Sequence, residues 1–516
     1  MAGFVFTGSL TRVANAGGKK RPKAAEAEEA AAADETAEKD TSDSHAQKAS
    51  EPAPEKADET TADEEVKAPP KAEEPPRAPE PAADVKTPMA VPPPPLLANE
   101  PGWQFGFFGW AELDAMWDST QSFSESVLNQ NIARPYTIAG DNARFQATPK
   151  DSRLGFKAVA PTFEGMKASA YMEADFFGVL PTTATQDQSY TYSSIRLRQY
   201  YAKLETPFVD VLAGQTFDLF GFGGGGFFPS TPAFLGVMGE VFHRNVQLRL
   251  SKTIMGEALG VEIAVAGVRP ASRDAGLPDG QAGLKLLVPA WQGASAQGPR
   301  PAKAAPAALG VSGVGRRVTV TDFNASTGNP RNLLGWGVAA DLFLPIIPAH
   351  GEDLSNTFSV TGEYSRGTGV TDLYLTLTGG VLFPSLPNPN NVLPAPQYTP
   401  NLDNGIVTFD ADGLPHTINW EGMMVNGHYH FPFRKGKMLA LSGTYSRIKS
   451  SNALSLTPLQ NSYFVWDKGQ YIDGTLWWRI TPAFQMSLSY QTMQQTYGDG
   501  TVARNNRAEA SWWFFF

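Results

Sequence analysis

The chain has 516 residues, no cysteine, and 42 Lys and Arg against 52 Asp and Glu. That balance offers no basic face for a nucleic-acid partner, and there is no thiol for redox or thiolate chemistry. No run of about 18 apolar residues occurs, which excludes a membrane-spanning helix, but a membrane barrel stays open because only alternate strand residues meet lipid.

At the N-terminus, Ala14-Asn15-Ala16 followed by Gly17 has the small-x-small form of a signal-peptidase site. The apolar stretch Phe4 to Val13 before it is short and lacks a basic flank. Residues 1–16 therefore fit either the remnant of a longer signal peptide or a chance Ala-rich match. Residues 17–101 read as a disordered, acidic, Pro-rich spacer. Within 17–95 there are 11 Lys and Arg against 19 Asp and Glu, which accounts for eight of the ten net negative charges. With almost no apolar surface to bury, such a segment cannot offset the entropy of folding, and its prolines favour extended conformations.

From residue 102 the composition changes abruptly to aromatic and Gly-rich, and period-two alternation takes over, as in strands with two different faces. Ala111, Leu113, Ala115 and Trp117 oppose Glu112, Asp114 and Asp118. Ala168, Ala170, Met172, Ala174 and Phe176 oppose Lys167, Ser169, Tyr171, Glu173 and Asp175. Val246, Leu248 and Leu250 oppose Gln247 and Arg249, and Phe484, Met486, Leu488 and Tyr490 oppose Gln485, Ser487, Ser489 and Gln491. Several runs exceed the roughly 9–11 residues that cross a bilayer at a tilt. Residues 102–516 are thus predicted to form an all-β transmembrane antiparallel barrel of about 16 strands, with roughly 14 or 18 also compatible.

Long connections around Ser119–Asn142, Gly221–Glu240 and Gly367–Pro415 alternate with short ones such as Pro161–Gly165, as extracellular loops alternate with periplasmic turns. An Ala/Pro/Gly-rich stretch between Pro270 and Val320 blurs at least one hairpin. The chain ends on a strand whose Asn506, Ala508, Ala510, Trp512, Phe514 and Phe516 share one face. Outward aromatics and a terminal phenylalanine have the form of a barrel-assembly signal, here Trp512, Phe514 and Phe516, and fit an interfacial aromatic girdle.

In a barrel the inward polar residues decide what passes. Arg153, Lys157, Arg196, Arg198 and Arg249 fall on polar faces of early strands, with Lys167 near. Guanidinium groups attract carboxylates and bind them at two points. Glu112, Asp114, Glu173 and Asp175, if they face the arginines, would set a transverse field; otherwise these acids simply neutralise them across neighbouring strands. Arg196 and Arg198 share a face at i, i+2, so they require an acidic partner or a bound anion. Gly221-Phe222-Gly223-Gly224-Gly225-Gly226 lacks the strand-to-helix context of a nucleotide site and reads as a flexible loop that can enter the lumen. His428 and His430 share a face but have no third ligand at metal-site spacing, so no metal or cofactor is expected. No Gly-x-Ser-x-Gly elbow or His-Glu-x-x-His motif appears, and no catalytic residue is assigned.

Four blocks carry a family resemblance. They are Ser152-Arg153-Leu154-Gly155-Phe156-Lys157, Tyr171-Met172-Glu173-Ala174-Asp175-Phe176-Phe177-Gly178, Arg196-Leu197-Arg198-Gln199-Tyr200-Tyr201-Ala202 and Leu212-Ala213-Gly214-Gln215-Thr216-Phe217. In this order they resemble the DcaP-type bacterial outer-membrane porins, over residues 103–255 in detail and beyond that only by pattern. The resemblance implies a sixteen-stranded homotrimeric barrel in the outer membrane, a periplasmic N-terminal extension, and passive uptake of small, often anionic, solutes. The Pro-rich spacer departs from the helical N-terminal segment of the relatives. Two other readings compete with the porin: a structural barrel whose spacer contacts the cell wall, and an outer-membrane enzyme with a site on the barrel exterior.

Overall fold

The computed structural model describes residues 102–516, apart from positions within 124–130, 179–193, 223–236, 273–274, 297, 322–329, 352, 376–404, 411–413, 433–437 and 457–464. The signal-peptide site and the spacer lie outside the described residues.

In chain order the strands are β1 (Gln104–Asp118), β2 (Arg144–Thr148), β3 (Arg153–Val159), β4 (Lys167–Asp175), β5 (Arg196–Glu205), β6 (Asp210–Phe217) and β7 (Arg244–Met255). They continue as β8 (Gly260–Val268), β9 (Asp279–Ser295), β10 (Lys303–Thr321), β11 (Pro330–Ile347), β12 (Thr357–Thr368), β13 (Val407–Phe409) and β14 (Pro415–Thr417). The last are β15 (Asn419–His430), β16 (Met438–Ser450), β17 (Trp466–Thr481), β18 (Phe484–Tyr497) and β19 (Val502–Phe515). The short pair β13–β14 stands apart, and all the others form one sheet. β2 and β3 both pair with β1, over Asp118–Asp114 and Trp110–Gln104 respectively, so they are one wall strand interrupted at residues 149–152. Pro149 sits at that interruption, where its missing N–H would break a ladder bond. The wall therefore has sixteen antiparallel strands, closed where β1 meets β19 from Trp110↔Phe515 to Asp118↔Arg507. Closure leaves no strand edge unpaired, which hydrocarbon demands.

The alternation read from the sequence maps onto the two faces. Leu113, Trp117, Leu248, Leu250, Ile263 and Val265 are exposed on the outside, while Glu112, Asp114, Asp118 and Gln247 are buried on the inside. The blurred middle of the chain becomes two long hydrogen-bonded neighbours, β9 of 17 residues and β10 of 19. Its Ala and Gly content had hidden a strand pattern that barrel pairing enforces.

Long connections gather at one end: L1 (residues 119–143), L3 (218–243) and L6 (369–418). L3 turns into the barrel. Leu219 N and Phe220 N donate to Gln281 Oε1 at 2.7 and 3.0 Å, Gly221 N donates to Ser312 Oγ at 2.9 Å, and Val241 N donates to Glu363 Oε1 at 2.6 Å. Phe220, Val237, Met238 and Val241 of L3 form one apolar cluster with Phe123 and Ile132 of L1 and Leu373 and Tyr374 of L6. A hydrophobic core thus fills part of the lumen, built by these loops together with inward wall residues such as Val314, Met424, Ile448 and Met493. Residues 223–226 of the glycine run lie outside the described residues.

Candidate pore lining and constriction

Inner-face residues of β3 to β7 form a basic sector. Ladder pairing puts Arg153, Lys157, Lys167, Arg196, Lys203 and Arg249 on one side of the sheet, with Glu173, Asp175, Glu205 and Asp210 among them. A register shift beside Glu173 and Ala174 places Gln199 opposite Glu173 and Leu197 opposite Ala174, leaving Arg198 as the extra residue. Such a bulge re-aims a side chain; here it lets Arg196, Arg198 and Gln199 all reach the inside.

The two acids the sequence left free to stand opposite these arginines lie beside them instead. Arg196 grips Asp175 at two points, Nε–Oδ1 2.9 Å and Nη2–Oδ2 2.6 Å. Arg198 donates to Glu173 Oε1 at 3.0 Å and to Asp175 Oδ2 at 2.7 Å. Arg153 Nη1 is 3.6 Å from Glu173 Oε1, and Arg300 Nη2 reaches Glu173 Oε2 at 2.6 Å. Four guanidiniums therefore share two carboxylates. Cross-strand neutralisation holds, and positive charge is left over. Arg249 leans the other way, donating to Gln247 Oε1 at 3.0 Å and to the Phe217 carbonyl at 2.6 Å. Lys157 and Lys167 are exposed on the same face.

Glu112 and Asp114 sit on β1, the wall strand paired with β3, rather than across the lumen. Glu112 accepts the Trp110 indole N–H at 2.7 Å, and the Arg153 guanidinium lies 4.6 Å above that indole ring. Carboxylate oxygens of Glu112, Asp114 and Asp151 all fall within 4.8 Å of one another. The acids that do face the basic sector were not singled out in the sequence: Glu240 on L3, Asp341 on β11 and Glu363 on β12, all buried. Asp341 and Glu363 are direct ladder partners. β4 and β12 are eight strands apart in a ring of sixteen, so these acids oppose Glu173 and its arginines across the barrel. Alternation on β11 and β12 is the signal that would place the two wall acids inward; nothing local distinguishes them from other inward polar residues.

L3 and L6 are pinned by charge. Arg316 of β10 donates to Asp279 of β9 at 2.9 Å and also binds Asp372 of L6. At the mouth of L3, His243 Nδ1 lies 2.9 Å from Asp218 Oδ2, and Asp218 N donates to the His243 carbonyl at 3.0 Å. Burial works against the imidazolium, but the Asp218 carboxylate outweighs it through charge and hydrogen bond. Asp372 adds to that effect and Arg316 opposes it, and the net result lies above the ordinary histidine value. A raised folded-state pKa means the protonated pair stabilises the loop fully below the unfolded value of about 6.5 and loses that contribution as pH rises through the folded value. Raising the pH through and above neutrality is expected to loosen the mouth of L3 and increase open-channel current noise. His243→Gln should remove that pH dependence, and noise that stays flat with pH in the parent chain would refute the assignment.

Of the C-terminal residues, Trp512 and Phe514 point outward on β19, and Phe514 is exposed. Phe516 exchanges both backbone hydrogen bonds with Gly109 at 3.1 Å and stacks on Phe107 at 5.8 Å, which fixes the last residue in the wall. Trp513 points inward and is fully buried. His428 and His430 lie inside near the short-turn end with ring centroids 5.4 Å apart. His428 Nε2 donates to the Ala294 carbonyl, a structural role.

No protein-family model matches the chain, and no curated protein matches it. Solved structures do. The outer-membrane protein OmpT of Vibrio cholerae is 9% identical, covering 82% of this chain and 100% of its own, with a TM-score of 0.43. An anion-selective porin from Comamonas acidovorans is 9% identical, covering 80% of this chain and 100% of its own, with a TM-score of 0.41. The outer-membrane channel DcaP of Acinetobacter baumannii is 16% identical, covering 81% of this chain and 99% of its own, with a TM-score of 0.57. The barrel of this chain has the DcaP fold, the architecture that the ordered motif blocks of its first strands implied.

Proposed function

We propose that this chain is an outer-membrane porin that passes small hydrophilic solutes by passive diffusion and favours anions, small carboxylates in particular. The observation that carries this reading is the opposition of charge inside the barrel. Guanidiniums of Arg153, Arg196, Arg198 and Arg300 crowd around Glu173 and Asp175 on one side, and Glu240, Asp341 and Glu363 stand on the other. Fields of this kind orient polar solutes, and excess guanidinium favours carboxylates over cations. Arg153, Lys157, Arg196, Arg198 and Arg249 are then the cationic lining, and Glu112, Asp114, Glu173 and Asp175 its neutralising neighbours. On this reading the lipid bilayer surrounds the outer apolar face, the copies assemble as homotrimers, and residues 17–101 extend into the periplasm. Trp512, Phe514 and Phe516 serve as the assembly signal.

The test is a reversal potential in a salt gradient across a planar bilayer. Arg196→Gln with Arg198→Gln leaves Glu173 and Asp175 less neutralised, so the potential should move toward cation preference. The preference should weaken with salt, because the screening length of about 8 Å at physiological ionic strength is comparable to a pore radius. An unchanged reversal potential in an assembled double variant would sink the charge assignment.

A further inference from the structure

The hairpin joining β9 to β10 lies at the end of the barrel where the other connections are short, yet it does not turn back at the rim. Ladder pairing jumps from Ala307↔Val288 to Pro306↔Gln292, which leaves residues 289–291 of β9 without partners on β10. Pro289 and Pro306 both lack an N–H at this point, and a bulge of this size bends the ladder. Beyond it the hairpin runs inward. The Trp291 indole donates to the Pro345 carbonyl of β11 at 2.7 Å, and Ala349 N donates to the Gln292 carbonyl at 2.8 Å. Gly293 lies against Pro345 and Ser359 of β11 and β12, so closely that a Cβ there would stand 2.6 Å from the Pro345 ring. His428 of β15 donates to the Ala294 carbonyl, and Ala294 is wholly buried.

The tip goes further still. Gln485 Nε2 of β18 donates to the Pro299 carbonyl at 3.1 Å, and Arg300 donates to Glu173 of β4 at 2.6 Å. In the ring of sixteen wall strands, β4 lies five strands from β9 on one side, and β18 lies six from β10 on the other. Contact with both requires the hairpin to cross the lumen. Its anchors are single hydrogen bonds and one ion pair.

We propose that the β9–β10 hairpin is a second constriction element, entering from the periplasmic end opposite L3, and that Arg300 at its tip is a specificity-determining residue of the pore. The proposal rests on the porin reading. It assigns pore size to the span of residues 293–305 and part of the anion preference to a charge borne by that span. Arg300 meets Glu173 from inside the lumen, so the cation it adds projects farther from the wall than those of Arg153 or Arg198. Solutes held by the guanidinium cluster then lie between the wall and the hairpin tip.

Two sets of variants of the full chain test this in planar bilayers. Replacing residues 293–305 by Asn-Gly closes the hairpin at Gln292 and Pro306 with a two-residue turn; single-channel conductance should rise severalfold. Arg300→Gln keeps the hairpin and should move the reversal potential toward cations. Because the chain has no cysteine, Pro299→Cys gives a second measurement that does not depend on assembly of the shortened variant. A charged thiol-specific reagent should cut its current and leave the parent untouched. A shortened hairpin that conducts no better than a conducting parent, or a Pro299→Cys current indifferent to the reagent, overturns the constriction and leaves the porin reading standing. No current from parent and variants alike overturns both.

Discussion

Arg507→Ala is expected to strip the barrel of much of its resistance to thermal unfolding. Arg507 on β19 and Asp118 on β1 are fully buried and joined at two points, Nε–Oδ1 and Nη2–Oδ2 both 2.9 Å. Asn505 adds a third hydrogen bond to the same carboxylate at 2.7 Å. The pair lies on the last rung of the seam that closes the sheet into a barrel. Removing one partner of a buried ion pair leaves the other charge uncompensated and costs about 3–5 kcal/mol. In detergent, the temperature at which the compact, fast-migrating band converts to the unfolded one should fall clearly for Arg507→Ala. Adding Asp118→Asn should restore part of the loss, because the stranded charge goes with it. A double variant no more stable than the single would show that Arg507 acts through packing alone.

Gly422→Val should open the lumen without breaking the wall. Gly422 faces inward on β15, where a Cβ would stand 2.3 Å from the Gly239 carbonyl oxygen of L3 and 3.1 Å from Ser365 Oγ. Backbone cannot yield as a flexible side chain does. Gly239 itself has φ +90° and lies against the Arg447 carbonyl, so it has no easy conformation to retreat into. The apolar contacts of Val237, Met238 and Val241 with L6 are then lost or shifted, at an overpacking cost of about 1–3 kcal/mol. Single-channel recordings should show a larger and noisier conductance with normal heat-modifiable gel mobility. Gly474→Val on β17 is the control, since no atom lies within 4 Å of a Cβ there. Equal conductance in Gly422→Val and the parent would mean that L3 does not limit flow.

Both variants act on contacts between residues far apart in the chain, and this marks where the sequence stops being informative. Alternation on β1, β4, β7 and β18 told inside from outside, because each strand residue faces one side or the other by local geometry alone. Strand length and the alternation of long and short connections carried the barrel, and the ordered blocks from Ser152 to Phe217 carried its family architecture. The inward direction of Arg153 and Arg249 was legible for the same reason, whereas that of Arg196 and Arg198 depends on the register shift within β5.

Which acid each arginine meets was not legible. That depends on the register between β4 and β5 and on a one-residue bulge that adds Arg198 to the inner face, so Glu173 and Asp175 became neighbours rather than opposites. Asp341 and Glu363 oppose the arginines only because closure puts β4 and β12 half a ring apart. Arg300 lay in a stretch whose Ala, Pro and Gly content suggested nothing but a blurred turn, and only folding across the lumen brings it to Glu173. Lipid and lumen select residues one at a time along a strand, whereas ion pairs and loop docking are decided by closure of the whole sheet.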